Sequence, residues 1–228
     1  MRQWPFLQCN LHAAGRRGDF LKIRAFGPLN LMGVAIRRAL DADVVLKSRY
    51  VDLPASFAAT IATSQAATAR WVEKFRRADA LFVVGAGSQV PIALEGALKV
   101  LEVAKMPVIA KELEEMMHGP FNGVGSATGI VLVADEIVQG HRLSAFIAGV
   151  KLIGNAFASI AAGSALAKNH GPFDLVLPPF DDPAVRAILG VVPLQILAHD
   201  LAVARGAAVD TARYPQLYPV FASKSFHK

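Results

Sequence analysis

Thiols are almost absent from this 228-residue chain: Cys9 is its one cysteine. That excludes an internal disulfide framework and a cysteine-rich zinc site. Charge is scarce too. Charged residues make up 18% of the chain and apolar ones 54%, whereas an ordinary soluble domain carries about 25% charged residues. A chain so apolar and so weakly charged is not intrinsically disordered. It can bury a sizeable core and further surface at an oligomer interface. The six histidines, His12, His118, His141, His170, His199 and His227, lack metal-ligand spacing, so no metal and no cofactor is expected.

The net charge of +6 suggests nucleic acid until it is divided along the chain. Residues 1–50 hold nine Lys/Arg and three Asp/Glu, and the remaining 178 hold fifteen of each. The body therefore carries no basic stripe, and no nucleic-acid partner is expected of it. Residues 1–52 are read as a basic arm and connector, and 53–228 as the folded domain. No charged-then-apolar leader with a cleavage pattern opens the chain. Leu143–Ala167 and Ile188–Ala204 are long apolar stretches. The first is broken by glycines and is predicted to turn at Gly154-Asn155 into a short buried strand. The second is interrupted by Gln195, His199 and Asp200. A cytoplasmic protein without a membrane partner is the expectation.

Strand-like and helix-like segments alternate. A short helix is assigned to residues 34–42. Ala55–Arg77 has helical periodicity, with Phe57, Ile61, Ala66, Trp71 and Phe75 on one face. Five apolar runs read as strands: Ala80–Val84, Met106–Ala110, Gly129–Ala134, Phe157–Ala161 and Phe173–Leu177. Helices are assigned to Val90–Ala104, His141–Ile153 and a long stretch from Asp181-Asp182-Pro183 to Arg205. Such alternation predicts an α/β fold with a five-stranded parallel sheet between helical layers.

The first strand runs into Gly85-Ala86-Gly87-Ser88-Gln89 and then a helix. Backbone N–H groups and the helix dipole make such a turn an anion site, with Gly85, Gly87, Ser88 and Gln89 as candidate phosphate contacts. A tight turn without a ligand fits the same residues. Val90 stands where a dinucleotide fingerprint needs its third glycine, and no Gly-Lys-Ser/Thr is present. Glu95, Lys99 and Glu102 follow at i, i+4 and i+7, on one helix face. That pattern fits a solvated charged face as well as a site.

Three blocks, in order, resemble one family. They are Pro91-Ile92-Ala93-Leu94-Glu95-Gly96-Ala97-Leu98-Lys99-Val100-Leu101-Glu102, then His118-Gly119-Pro120 sixteen residues later, then Val192-Pro193-Leu194-Gln195 with Gly206 and Val209-Asp210. The chain from about Leu53 to Arg213 resembles the sugar isomerase (SIS) domain superfamily. It is most similar to the second such domain of the glucosamine-6-phosphate synthases and to the related sugar-phosphate deaminases and deglycases.

The resemblance implies a flavodoxin-like αβα sandwich working as a homodimer on a phosphorylated sugar or aminosugar. It implies aldose–ketose isomerisation or deamination through a cis-enediol or enolamine. By position Glu102 would be the base and Lys99 a neighbouring cation. His118 would assist ring opening from the partner subunit, and Glu95 would line the substrate. The family's C-terminal lysine has no ungapped counterpart, since Leu217 stands there, and Lys224 replaces it only through an insertion of seven residues. The family's first domain, with its serine- and threonine-rich phosphate loops, has no match. At most Phe26–Leu40 corresponds to the last helix of that domain. A glutaminase domain is missing as well. The alternatives are therefore a non-catalytic phosphosugar-binding module, or the inert half of a two-domain enzyme.

Overall fold

The computed structural model describes residues 10–11, 21–22, 52–135, 140–163, 166, 173–180, 182–217 and 220. Met1–Val51 and Asp52–Lys228 form separate compact units. In the first, strands β1 (Asn10–Leu11) and β2 (Leu21–Lys22) pair antiparallel. The helix expected over 34–42 lies outside the described residues.

The second unit opens with α1 (Leu53–Phe75), whose Pro54 sits in the first turn, where a missing N–H costs nothing. Then follow β3 (Ala80–Ala86), α2 (Val90–Lys99), β4 (Val108–Glu112) and α3 (Leu113–Met117). After these come β5 (Thr128–Ala134), α4 (Gly140–Ile153), β6 (Phe157–Ala161), β7 (Leu175–Val176) and α5 (Pro183–Ala204). The five strands β3 to β7 make one parallel sheet in the order β4-β3-β5-β6-β7. This is the expected fold class. β3 and β5 are central and buried on both faces, so their sequences read as nearly unbroken apolar runs.

Alternate residues of these strands feed two cores. Phe82, Val84, Ile130 and Leu132 pack with Leu113, Met116, Leu143 and Phe146 of α3 and α4. On the other face, Gly129 abuts Leu81 and Phe75 so closely that a Cβ there would come 2.6 Å from the Phe75 ring. That face is covered by α1, α2 and α5. α5 is the one helix among the described residues long and apolar enough to cross a membrane, and 67% of its most apolar stretch is buried.

Local departures from expectation have identifiable causes. The buried stripe of α1 is Thr60, Ser64, Ala67, Thr68, Trp71, Val72 and Phe75, while Ala66 is exposed. Thr60 can face inward because its hydroxyl is satisfied locally: Thr60 Oγ1 donates to the Ser56 carbonyl at 2.7 Å. β4 starts two residues later than expected. Lys105 adopts a left-handed conformation and Pro107 has no N–H to give, so pairing begins with the Pro107 carbonyl accepting from Leu81. The helix expected over Val90–Ala104 is α-helical only to Lys99; Val100–Ala104 is a π-helical turn.

Candidate functional site

β4 lies on one side of β3 and β5 on the other, so the chain reverses direction across the sheet between β3 and β5. In open parallel sheets, ligands bind outside the carboxyl ends of strands at such a point. The Gly87–Gln89 turn and Asp135 occupy it, at the ends of β3 and β5 respectively. Both Ser88 groups donate to Asp135 Oδ2: the backbone N–H at 2.8 Å, and the hydroxyl in a short contact. Gln89 Nε2 donates to Ser88 Oγ at 3.2 Å. Gln89 and Asp135 are both fully buried. Gly85 lies at the end of β3, where the start of α2 presses on it, and Gly87 has φ +67°.

Helix α2 runs from this turn back along the sheet. Near its far end Lys99 Nζ lies 2.7 Å from Glu102 Oε2 and 3.6 Å from Glu95 Oε1. The Lys99 and Glu95 side chains are 11% and 14% exposed, and that of Glu102 is 53% exposed. Glu95 Oε1 is buried and accepts no hydrogen bond, so the Lys99 ammonium at 3.6 Å meets it as an ion-pair partner. One ammonium thus serves two carboxylates, one sunk into the protein and one facing out. Glu102 sits inside the π-helical turn, which widens the backbone where it is carried; such turns recur at functional sites. Leu94 and Leu98 of α2 and Leu101 of this turn are exposed. The C-terminal segment is pinned beside this end. Lys105 Nζ donates to the Ala208 carbonyl at 2.6 Å, and Arg213 donates to the Lys105 carbonyl at 2.7 Å.

His118 does not join this group within the chain. It closes α3, beyond the carboxyl end of β4, and β4 alone spans about 16 Å at the usual rise per residue. Glu102 lies near the opposite end of that strand. His118 is 73% exposed, with Nε2 3.6 Å from Glu114 Oε2. Arg142 of α4 grips the same Glu114 with both arms of its guanidinium, at 2.6 Å from Nε and in a short contact from Nη2. This pairing holds the Glu114 carboxyl below its ordinary range and raises Arg142. Lys111 lowers Glu115 in the same way.

Of the residues singled out from sequence, the structure brings Glu95, Lys99 and Glu102 together at one end of α2. It gathers Gly85, Gly87, Ser88 and Gln89 at the other end. Lys224 lies outside the described residues. Sequence reasoning missed Asp135, Glu114 and Arg142. An acid directly after a fully apolar strand, as in Ala134-Asp135, is the signal that would have pointed to the first.

No family model matches the chain. The glutamine–fructose-6-phosphate aminotransferase (isomerizing) of Bordetella pertussis is 30% identical over 162 residues, 71% of this chain and 26% of that protein. The chain thus spans about a quarter of the length of this curated relative. Among solved structures, the C-terminal domain of a glucosamine-fructose-6-phosphate aminotransferase from Francisella tularensis superposes with a TM-score of 0.58 at 24% identity. That match covers 73% of this chain and 45% of the other. Tagatose-6-phosphate ketose/aldose isomerase from Escherichia coli gives 0.56 at 24% identity, over 72% and 46%. The parallel sheet in its 4-3-5-6-7 order, the three sequence blocks in register and these likenesses place the chain in the sugar isomerase (SIS) domain superfamily.

Proposed function

We propose that this chain binds a phosphorylated sugar or aminosugar and acts as an aldose–ketose isomerase or aminosugar-phosphate deaminase. Residues 53–228 form the working domain, 1–52 a basic arm, and the functional unit is a cytoplasmic homodimer. The observation that carries this reading is Lys99 held between Glu95 and Glu102. Proton transfer between the two carbons beside a carbonyl needs one carboxylate over both carbons and a cation near the developing oxyanion. Glu102 is exposed enough to meet a substrate. Glu95, buried and ion-paired with Lys99, anchors the ammonium so that its charge stays beside Glu102. His118 assists ring opening from the partner subunit, a role favoured by its exposure and by its distance along β4 from Glu102. Lys224 is kept as a candidate substrate contact from the sequence alone.

The test is deuterium wash-in at C1 and C2 of fructose-6-phosphate and glucosamine-6-phosphate in D₂O, followed by NMR. The wild-type protein should exchange and Glu102→Gln should lose about 100-fold or more, the usual worth of a positioned base. Equal exchange in both would sink the assignment of Glu102. A second reading, a phosphosugar-binding module without chemistry, is favoured by the i,i+3 and i,i+4 spacing of Glu102 and Glu95 about Lys99, which is also that of an ordinary ion-paired helix face. It expects saturable sugar-phosphate binding that survives Glu102→Gln, with no exchange in either protein.

A further inference from the structure

We infer that Asp135 is the built-in occupant of the anion-binding turn at the start of α2, so that the domain's own switch-point crevice is closed to phosphate. The turn has the features of a phosphate cradle. It follows a central strand of a parallel sheet, precedes a helix, and turns with φ +67° at Gly87. Its Ser88 N–H and Ser88 hydroxyl converge on a single oxygen, as they would on a phosphate oxygen. That oxygen belongs to Asp135, which is fully buried and arrives from the end of the neighbouring strand β5. A carboxylate here is stabilised by the positive end of α2, and a second anion in the same place would meet it as a like charge.

The turn cannot make room by shifting. A Cβ on Gly85 would lie 2.6 Å from Val90 Cα, so strand and helix already touch. Gln89 is wedged from the other side: a Cβ on Gly190 of α5 would lie 2.4 Å from Gln89 Oε1. Asp135 is thus a specificity-determining residue. It converts a site that sequence alone reads as a phosphate loop into a structural clasp between β3 and β5. A phosphosugar acting at Glu102 must have its phosphate gripped elsewhere. The inference stands whether or not Glu102 is a base.

The probe is inorganic phosphate at constant ionic strength, with the Ser88 amide followed by ¹⁵N NMR and the melting temperature recorded in parallel. In the wild-type protein the Ser88 amide should stay in place, and Tm should move no more than with chloride. Asp135→Ser empties the position. Its Ser88 amide should shift saturably and its phosphate affinity should exceed the wild type's by at least about tenfold, the least that charge-assisted hydrogen bonds supply. If Asp135→Ser folds only when phosphate is present, that also supports the clasp. Saturable phosphate binding at Ser88 in the wild type overturns the inference. So does a folded Asp135→Ser whose Ser88 amide ignores phosphate. Should Asp135→Ser fold under neither condition, Asp135→Ala clears the same position without adding a hydroxyl, and the inference fails if its Ser88 amide is as indifferent to phosphate as the wild type's.

Discussion

Single residues decide how charge is held in this domain. Glu114 accepts both arms of the Arg142 guanidinium, chiefly through the side-chain hydrogen bond, and its carboxyl titrates below the ordinary value of 4.5 as a result. A carboxyl whose folded pKa is depressed adds stability above its unfolded pKa. That contribution fades as pH falls through the depressed value. The link between α3 and α4 should therefore be intact at neutral pH and weaken below about pH 4.5. Glu114→Gln removes the dependence. Melting curves of wild type and Glu114→Gln should differ at pH 7 and converge toward pH 3. A gap that stays constant across that range would mean the pair does not titrate as its geometry requires. Because Glu114 is solvent-accessible, the gap at pH 7 should be small, as for exposed ion pairs generally.

At the scale of elements, the crossing of α2 over α5 fixes where Glu95, Lys99 and Glu102 stand. Gly96 makes the close approach possible: a Cβ there would lie 2.2 Å from Leu194 Cδ1 and 2.9 Å from Leu194 Cβ. Gly96→Ala should cost about 1–3 kcal/mol through overpacking. The loss would be read from a urea midpoint with an unchanged m value. Trimming the opposing side chain by Leu194→Ala should make the combined loss smaller than the sum of the two singles, a coupling that a double-mutant cycle isolates.

The same crossing explains what the sequence made legible. The i, i+4, i+7 spacing of Glu95, Lys99 and Glu102 follows from helical geometry alone. β3 and β5 are nearly unbroken apolar runs because they lie inside a parallel sheet. The inward face of α1 departs from the apolar pattern because its buried positions include Thr60, Ser64 and Thr68; Thr60 donates to the Ser56 carbonyl and Thr68 to Asp200 of α5 at 3.1 Å, while the Ser64 hydroxyl is buried without a partner. The π-helical turn under Glu102 left no mark in composition. The Asp135–Ser88 clasp joins residues 47 positions apart, and only the pairing of β3 with β5 brings them together.

For the whole molecule, the topology sets a condition on catalysis. One chain holds Glu102 near one end of β4 and His118 beyond the other. α2 and the π-helical turn that follows it also offer Leu94, Leu98 and Leu101 to solvent, exposed by 58%, 42% and 51%. If Glu102 and His118 serve one substrate, they come from two copies of the chain. In a twofold dimer each of the two sites would then take Glu102 from one protomer and His118 from its partner. Glu102→Gln and His118→Ala would each disable both sites of their own homodimer. Unfolded together and refolded at equal concentration, half of the dimers would be mixed. Each mixed dimer would hold one site with both residues intact, so exchange should return to about a quarter of the wild-type rate. A site built within one chain would leave every site damaged, and mixing would restore nothing. The readout is the same deuterium exchange, so the mixture is informative once wild-type exchange is in hand. The share restored then counts the protomers that make up one site.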